Sequence, residues 1–186
     1  GYIKISSFSN STDIEFKKAI KNLLEKGMES LILDLRFNGG GYLHQAINIA
    51  DEFLKKNKLI VYTEGAHSKK RTFFSSSKGL FENGKLIILV NSSTASASEI
   101  VSGAIQDNDR GLILGRRTFG KGLVQQPLLL PDSSELRITT SRYYTPSGKC
   151  IQKPYGDSID YDNDLFDRIE NGELTEIDSS EKSKFK

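Results

Sequence analysis

The apolar residues of this chain follow two alternating rhythms. Residues 2–5 read as a short strand. From Thr12 onward Phe16, Ala19, Ile20, Leu23 and Leu24 recur at helical spacing, and Gly27 suits the exit. Thr12 and Glu15 have the spacing of a capping box at the start of that helix. "SLILDLR" (30–36) is a nearly unbroken apolar run, the pattern of a buried strand. "FNGGGY" (37–42) reads as a turn, and residues 43–55 as a second helix with Leu43, Ala46, Ile47, Ala50 and Leu54 on one face. "LIVYT" (59–63) predicts a strand, residues 64–84 an exposed excursion with a strand at 71–75, and "KLIILVN" (85–91) a second buried strand. A helix over 96–107 aligns Ala97, Ile100, Val101, Ala104 and Ile105, and "GLILG" (111–115) is a third buried strand. A turn at 118–122, an extended stretch at 123–131 and a partly alternating strand at 135–146 follow.

Strand, helix, strand, helix, strand in alternation predicts parallel pairing through crossover helices. The later strands, with no helices between them, predict an antiparallel addition, so the fold class is α/β. Beyond Pro154 the chain turns acidic and loses its period, apart from a short helix around 163–170. The 186 residues, 37% hydrophobic and 27% charged, suffice for one domain with a sizeable core. A net charge of +2 gives no reason to invoke nucleic acid or an anionic membrane. No apolar run approaches the roughly 18 residues of a membrane span. The single cysteine, Cys150, excludes an internal disulfide framework and a cysteine-rich metal site, and in its loop-like segment it reads as incidental. The opening "GYIKISSF" and the charged close "SSEKSKFK" read as the cut ends of a longer protein.

The candidate chemistry gathers where buried strands end. Ser96 stands between the 85–91 strand and a helix. Ser96 with Glu99 fits a capping box, and most serines in this position only cap. The same position suits a nucleophile, because ligands bind at the carboxyl ends of strands and a helix N-terminus favours a developing oxyanion. A serine nucleophile needs a base. Of the only histidines, His67 lies in a polar excursion and His44, just after the glycines, has no clear carboxylate partner in its local context. Lys121 lies between two glycines in "TFGKGLVQ", where desolvation would favour the neutral amine. Gln125, four residues on in an extended stretch, would share its face and could orient the amine without adding charge. "NGGG" (38–41) is either a flexible turn or a source of an oxyanion amide; it lacks the spacing of a nucleotide-binding loop. Asp34, Arg36 and Asn38 alternate at the end of their strand and read as braces of that turn.

Four blocks, "LILDLRFNGGG", "LVNSSTASASEIVSGAIQD", "GRRTFGKGLVQ" and "RYYTPSGKCIQ", together resemble the carboxyl-terminal processing (tail-specific) serine proteases in order and spacing over roughly residues 1–153. The resemblance implies a crotonase/Clp-protease-like core of ββα units wound in a spiral. It implies Ser96 as nucleophile, Lys121 as general base and Gln125 as the residue orienting the lysine. Glu99 takes the orienting place in the description of some members. Gly41 and Ala97 match the oxyanion amides. The catalytic core then covers 1–153 and an acidic extension 154–186, while the PDZ domain that members usually carry lies outside this sequence.

The activity so implied is endopeptidase cleavage near protein C-termini through an acyl-enzyme, without cofactor or metal. Substrates would be polypeptides, with no nucleic-acid partner; a homo-oligomer is left open. The location implied is the cell envelope or periplasm. Two rivals stand beside this reading. One is a catalytically silent relative that binds peptides or apolar ligands; the other is an acyl-CoA enzyme of crotonase type, which needs no serine–lysine pair.

Overall fold

A computed structural model describes residues 1–76, 79–155 and 163–174. The chain divides into two compact units, 1–153 and 154–186.

The described residues of the first unit form eight strands and three helices in the order β1 (Tyr2–Lys4), α1 (Thr12–Glu25), β2 (Ser30–Asp34), α2 (Leu43–Asp51), β3 (Leu59–Gly65), β4 (Ser68–Phe74), β5 (Lys85–Val90), α3 (Ala97–Asp107), β6 (Leu112–Gly115), β7 (Leu123–Leu129) and β8 (Glu135–Tyr144). One sheet runs β1-β2-β5-β6 and all its pairings are parallel. The other runs β4-β3-β8-β7, all antiparallel. The described part of the second unit holds α4 (Asp164–Glu170).

Parallel pairing of β2 with β5 lays Leu31 beside Leu86 and Leu33 beside Ile88, all of them buried. The helical stripes meet this layer: Phe16 and Ile20 of α1, Ala46, Ile49 and Ala50 of α2, and Ile100, Val101, Ala104 and Ile105 of α3 share one core with it. Full burial of each large aliphatic side chain contributes about 1.5–3 kcal/mol. Phe16 and Phe53 add an edge-to-face ring contact at 5.6 Å between centroids. The opposite face of the parallel sheet leaves Ile32, Leu112 and Leu114 exposed.

Four expectations change. β6, read as a third buried strand, is an edge strand with Leu112 and Leu114 exposed. β3 leaves the parallel sheet, although it follows the strand–helix rhythm, because it closes a hairpin with β4 and pairs with β8 on its other side. The excursion after it is therefore largely that hairpin. The helix at 43–55 stops at Asp51: Phe53 and Leu54 turn inward, both buried, and the Glu52 carboxylate accepts from the Leu80 amide at 2.9 Å. Thr12 and Glu15 form no capping box. Thr12 is the first residue of α1, and its hydroxyl accepts from the Ser9 amide and donates to the Ser7 carbonyl.

Candidate active site

Three loops leave the carboxyl edge of the parallel sheet: 35–42 after β2, 91–96 after β5 and 116–122 after β6. They are laced together. Phe37 N donates to Asn91 Oδ1 at 3.0 Å, and Thr94 Oγ1 donates to the Leu35 carbonyl at 2.9 Å. Ala95 N and Ser98 Oγ both donate to the Asn38 carbonyl, and Phe119 N donates to the Thr94 carbonyl at 2.9 Å. Asn38 is fully buried; its side chain donates to the Ile5 carbonyl and accepts from Gly40 N, each at 2.8 Å. The hydroxyls around Ser96 thus serve mainly to hold loops.

Ser96 sits at the turn from β5 into α3 with φ 56° and ψ −114°. Positive φ in a residue with a Cβ is strained and is characteristic of functional turns; strained strand-to-helix turns present a serine hydroxyl in hydrolases. Gly40 makes room for it. A Cβ on Gly40 would stand 2.7 Å from Ser96 Cβ and 2.9 Å from Ala97 N, and φ there is +99°. The NGGG turn and the start of α3 are therefore in direct contact. The amides of Gly41 and Ala97 donate to no acceptor among the described residues.

Glu99 joins the parts. It is 5% exposed. Its Oε2 accepts from Ser96 N and from Lys121 N, both at 2.8 Å, and its Oε1 accepts from Thr118 Oγ1 and Gly120 N, both at 2.7 Å. Ser96 and Glu99 also form a capping box, and the Glu99 amide donates to the Ser96 carbonyl at 2.9 Å. Cap and candidate nucleophile therefore coincide in one residue. In this arrangement Glu99 accepts from the backbone amide of Lys121.

The side chains of Ser96, Lys121 and Gln125 are not joined by hydrogen bonds among the described residues. Ser96 is half-buried, whereas Lys121 and Gln125 are exposed, so the expected desolvation of the lysine is not present in this arrangement. The register shift beside Gln125 inserts its extra residue, Thr140, on β8: Val124 pairs with Ser141 and Gln125 with Thr139. His44 stacks at a tilt near Tyr42, 5.4 Å between centroids, and Cys150 is a free, exposed thiol.

Beside the site, Asp34 ends β2. It accepts from Arg36 N, Nε and Nη2 and from the Tyr2 hydroxyl over 2.7–3.0 Å. The Arg36 hydrogen bonds hold its carboxyl well below the usual carboxylate range, against the opposing effect of burial. The brace expected of Asp34, Arg36 and Asn38 consists of this network for the first two and of the Ile5 and Gly40 hydrogen bonds for Asn38. No group of His, Cys, Asp or Glu able to hold a metal ion occurs among the described residues.

Residues 1–163 match peptidase family S41. The chain belongs to that family. S41 is a serine-type peptidase family, and its members similar to this chain include a carboxy-terminal-processing protease of Bartonella bacilliformis, 42% identical over 157 residues. A carboxyl-terminal-processing protease of Synechocystis is 40% identical over 153 residues. These alignments cover 82% of this chain and 36% and 35% of the two relatives. The chain thus spans about a third of their length. The solved photosystem II D1 C-terminal processing protease superposes with a TM-score of 0.77 at 36% identity, over 82% of this chain and 39% of that one. The S41 fold, a parallel sheet with crossover helices beside an antiparallel sheet, agrees with the one expected from the sequence.

Proposed function

We propose that this chain is the catalytic core of an endopeptidase that cleaves peptide bonds near protein C-termini by a serine–lysine mechanism. The observation that carries the reading is the double grip of Glu99. One carboxylate oxygen accepts from both the Ser96 and the Lys121 amides, so the two backbones lie within two hydrogen bonds of each other. The long, flexible lysine stem can then bring its amine to the serine.

In this mechanism the Ser96 hydroxyl turns from the helix toward Lys121. The neutral amine takes its proton as Oγ attacks the scissile carbonyl, and the amides of Gly41 and Ala97 receive the oxyanion. The Lys121 ammonium gives that proton to the departing amine, leaving an acyl-enzyme that water hydrolyses. Gln125 orients the amine. Each oxyanion donor is worth about 100- to 1000-fold in rate. Closure of the Ser96–Lys121 pair belongs to the substrate-bound state, since catalytic hydrogen bonds often tighten only there. Substrates are polypeptide tails, and by likeness the complete protein works in the cell envelope or periplasm.

The test is hydrolysis of an unstructured, apolar-tailed polypeptide by the complete encoded protein and its Ser96→Ala and Lys121→Ala variants. Both variants are expected to lose at least about 1000-fold in kcat. Wild-type turnover by either refutes the mechanism. The open Ser96–Lys121 pair favours one rival, a silent peptide-binding relative. A fluorophosphonate probe separates the two: covalent labelling at Ser96 in the complete protein supports the enzyme, and absence of labelling together with tight tail binding supports the rival.

A further inference from the structure

The turn that carries Lys121 is gripped from a second side, by the last segment of the "RYYTPSGKCIQ" block. Gly122 N donates to Gln152 Oε1 at 2.9 Å, Lys153 N donates to the Gly120 carbonyl at 2.9 Å, and Tyr143 N donates to the Gly122 carbonyl at 2.8 Å. Glu99 takes the amides of Gly120 and Lys121. Every polar backbone group of both glycines is thus matched, and the lysine amide with them. Residues 151–153 lie flush against the turn: a Cβ on Gly122 would stand 2.3 Å from Gln152 N, and one on Gly120 would stand 2.8 Å from Lys153 Cβ, with φ +86° at Gly120. Both glycines flanking the lysine are required by this contact.

Gln152 is the side chain in this second grip. It is 7% exposed, and its Nε2 is used on the Lys153 carbonyl at 3.1 Å. A buried carboxamide that spends its oxygen on one backbone N–H of the lysine turn fixes where that turn sits without adding charge near the amine. Glu99 fixes the turn relative to the nucleophile; Gln152 fixes it relative to segment 151–153, whose Ile151 amide donates to the Tyr143 carbonyl of β8 at 3.0 Å.

We infer that Gln152 is a positioning residue for the general base, holding the Gly120–Gly122 turn so that the Lys121 amine can meet Ser96. The inference rests on the serine–lysine reading above. A misplacement of about 1 Å can cost 100-fold in rate, so an anchor of this turn acts on turnover.

The experiment measures kcat and KM on a tailed polypeptide for the complete encoded protein and its Q152M, Q152N, Q152E and K121A variants, at a temperature where circular dichroism shows each to be folded. Q152M keeps the volume but removes the acceptor, and Q152N withdraws it. Both are expected to lower kcat about 10- to 100-fold with KM changed less than about threefold. Q152E restores the acceptor for Gly122 N but loses the hydrogen bond to the Lys153 carbonyl and adds charge near the amine, so it is expected to recover kcat only in part, to a value above that of Q152N. Should Q152M be unfolded throughout the assay range, Q152N against Q152E decides by the same criterion. A kcat within about twofold of wild type in Q152M and Q152N, or a raised KM with unchanged kcat, or failure of Q152E to exceed Q152N, overturns the inference alone. Wild-type turnover by K121A overturns the serine–lysine reading and this inference with it.

Discussion

Removing the Glu99 carboxylate is the perturbation that bears hardest on how this site is held together. Four donors converge on it at 2.7–2.8 Å, three of them backbone amides from two loops. Glu99→Ala leaves those three N–H groups without acceptors in a partly buried place. Each unmet buried donor costs about 1–3 kcal/mol. Water entering beside half-buried Ser96 recovers part of that, so a net loss of roughly 2–4 kcal/mol is expected. Glu99→Gln keeps the volume and one acceptor oxygen. Its new amide can donate to the Thr118 hydroxyl but opposes an N–H, which puts the cost at about 1–2 kcal/mol. Urea unfolding followed by far-UV circular dichroism reads both values. Peptide hydrolysis by the complete protein reads the second consequence: with the common anchor gone, kcat in E99A is expected to fall at least about 100-fold. If E99Q and E99A match the wild type in unfolding midpoint and turnover, or if E99Q is the more damaged of the two, the view of Glu99 as the link between the nucleophile and the lysine turn is wrong.

Gly40→Ala is expected to combine left-handed strain of about 1–2 kcal/mol with a collision against Ser96 and Ala97. Both urea stability and kcat should drop, and an unchanged enzyme would contradict the close approach of the two loops. Asp34 gives a pH signature. Its folded-state carboxyl titrates below the unfolded one, so its stabilisation is whole above the unfolded pKa near 4 and is lost as pH falls toward the folded value. Asp34→Asn should therefore flatten the acid side of the stability curve below about pH 4 and leave the slope between pH 6 and 8 unaltered. An acid slope equal to that of the wild type would show that the Asp34–Arg36 network does not carry this linkage.

Much of this architecture is legible from residue order alone. The continuous runs 30–36 and 85–91 can only be satisfied between two covered or partly covered faces, and they became the central parallel pair β2 and β5. The helical stripes beginning at Thr12, Leu43 and Ala97 each found the core. Sheet membership was not legible for β3, because a strand reached through a crossover helix has the same local pattern whether it then pairs with β2 or turns back in a hairpin. The site divides in the same way. A serine at a strand-to-helix turn, a lysine between glycines and a glycine-rich turn could all be named from local context. What ties them together could not, since the partners of Glu99 at Thr118, Gly120 and Lys121 and the partner of Gln152 at Gly122 lie about 20 to 30 residues away and, apart from the Thr118 hydroxyl, are backbone amides, which carry no sequence signature. The one available signal was the pair of glycines around Lys121. Flexibility alone would explain either of them, but two glycines flanking a single lysine are better explained by a neighbour pressed against both sides of the turn, and that neighbour is 151–153. A glycine pair of this kind is evidence for a segment packed against the turn, and the polar residue at the centre of that segment is then the first place to look for an unassigned role.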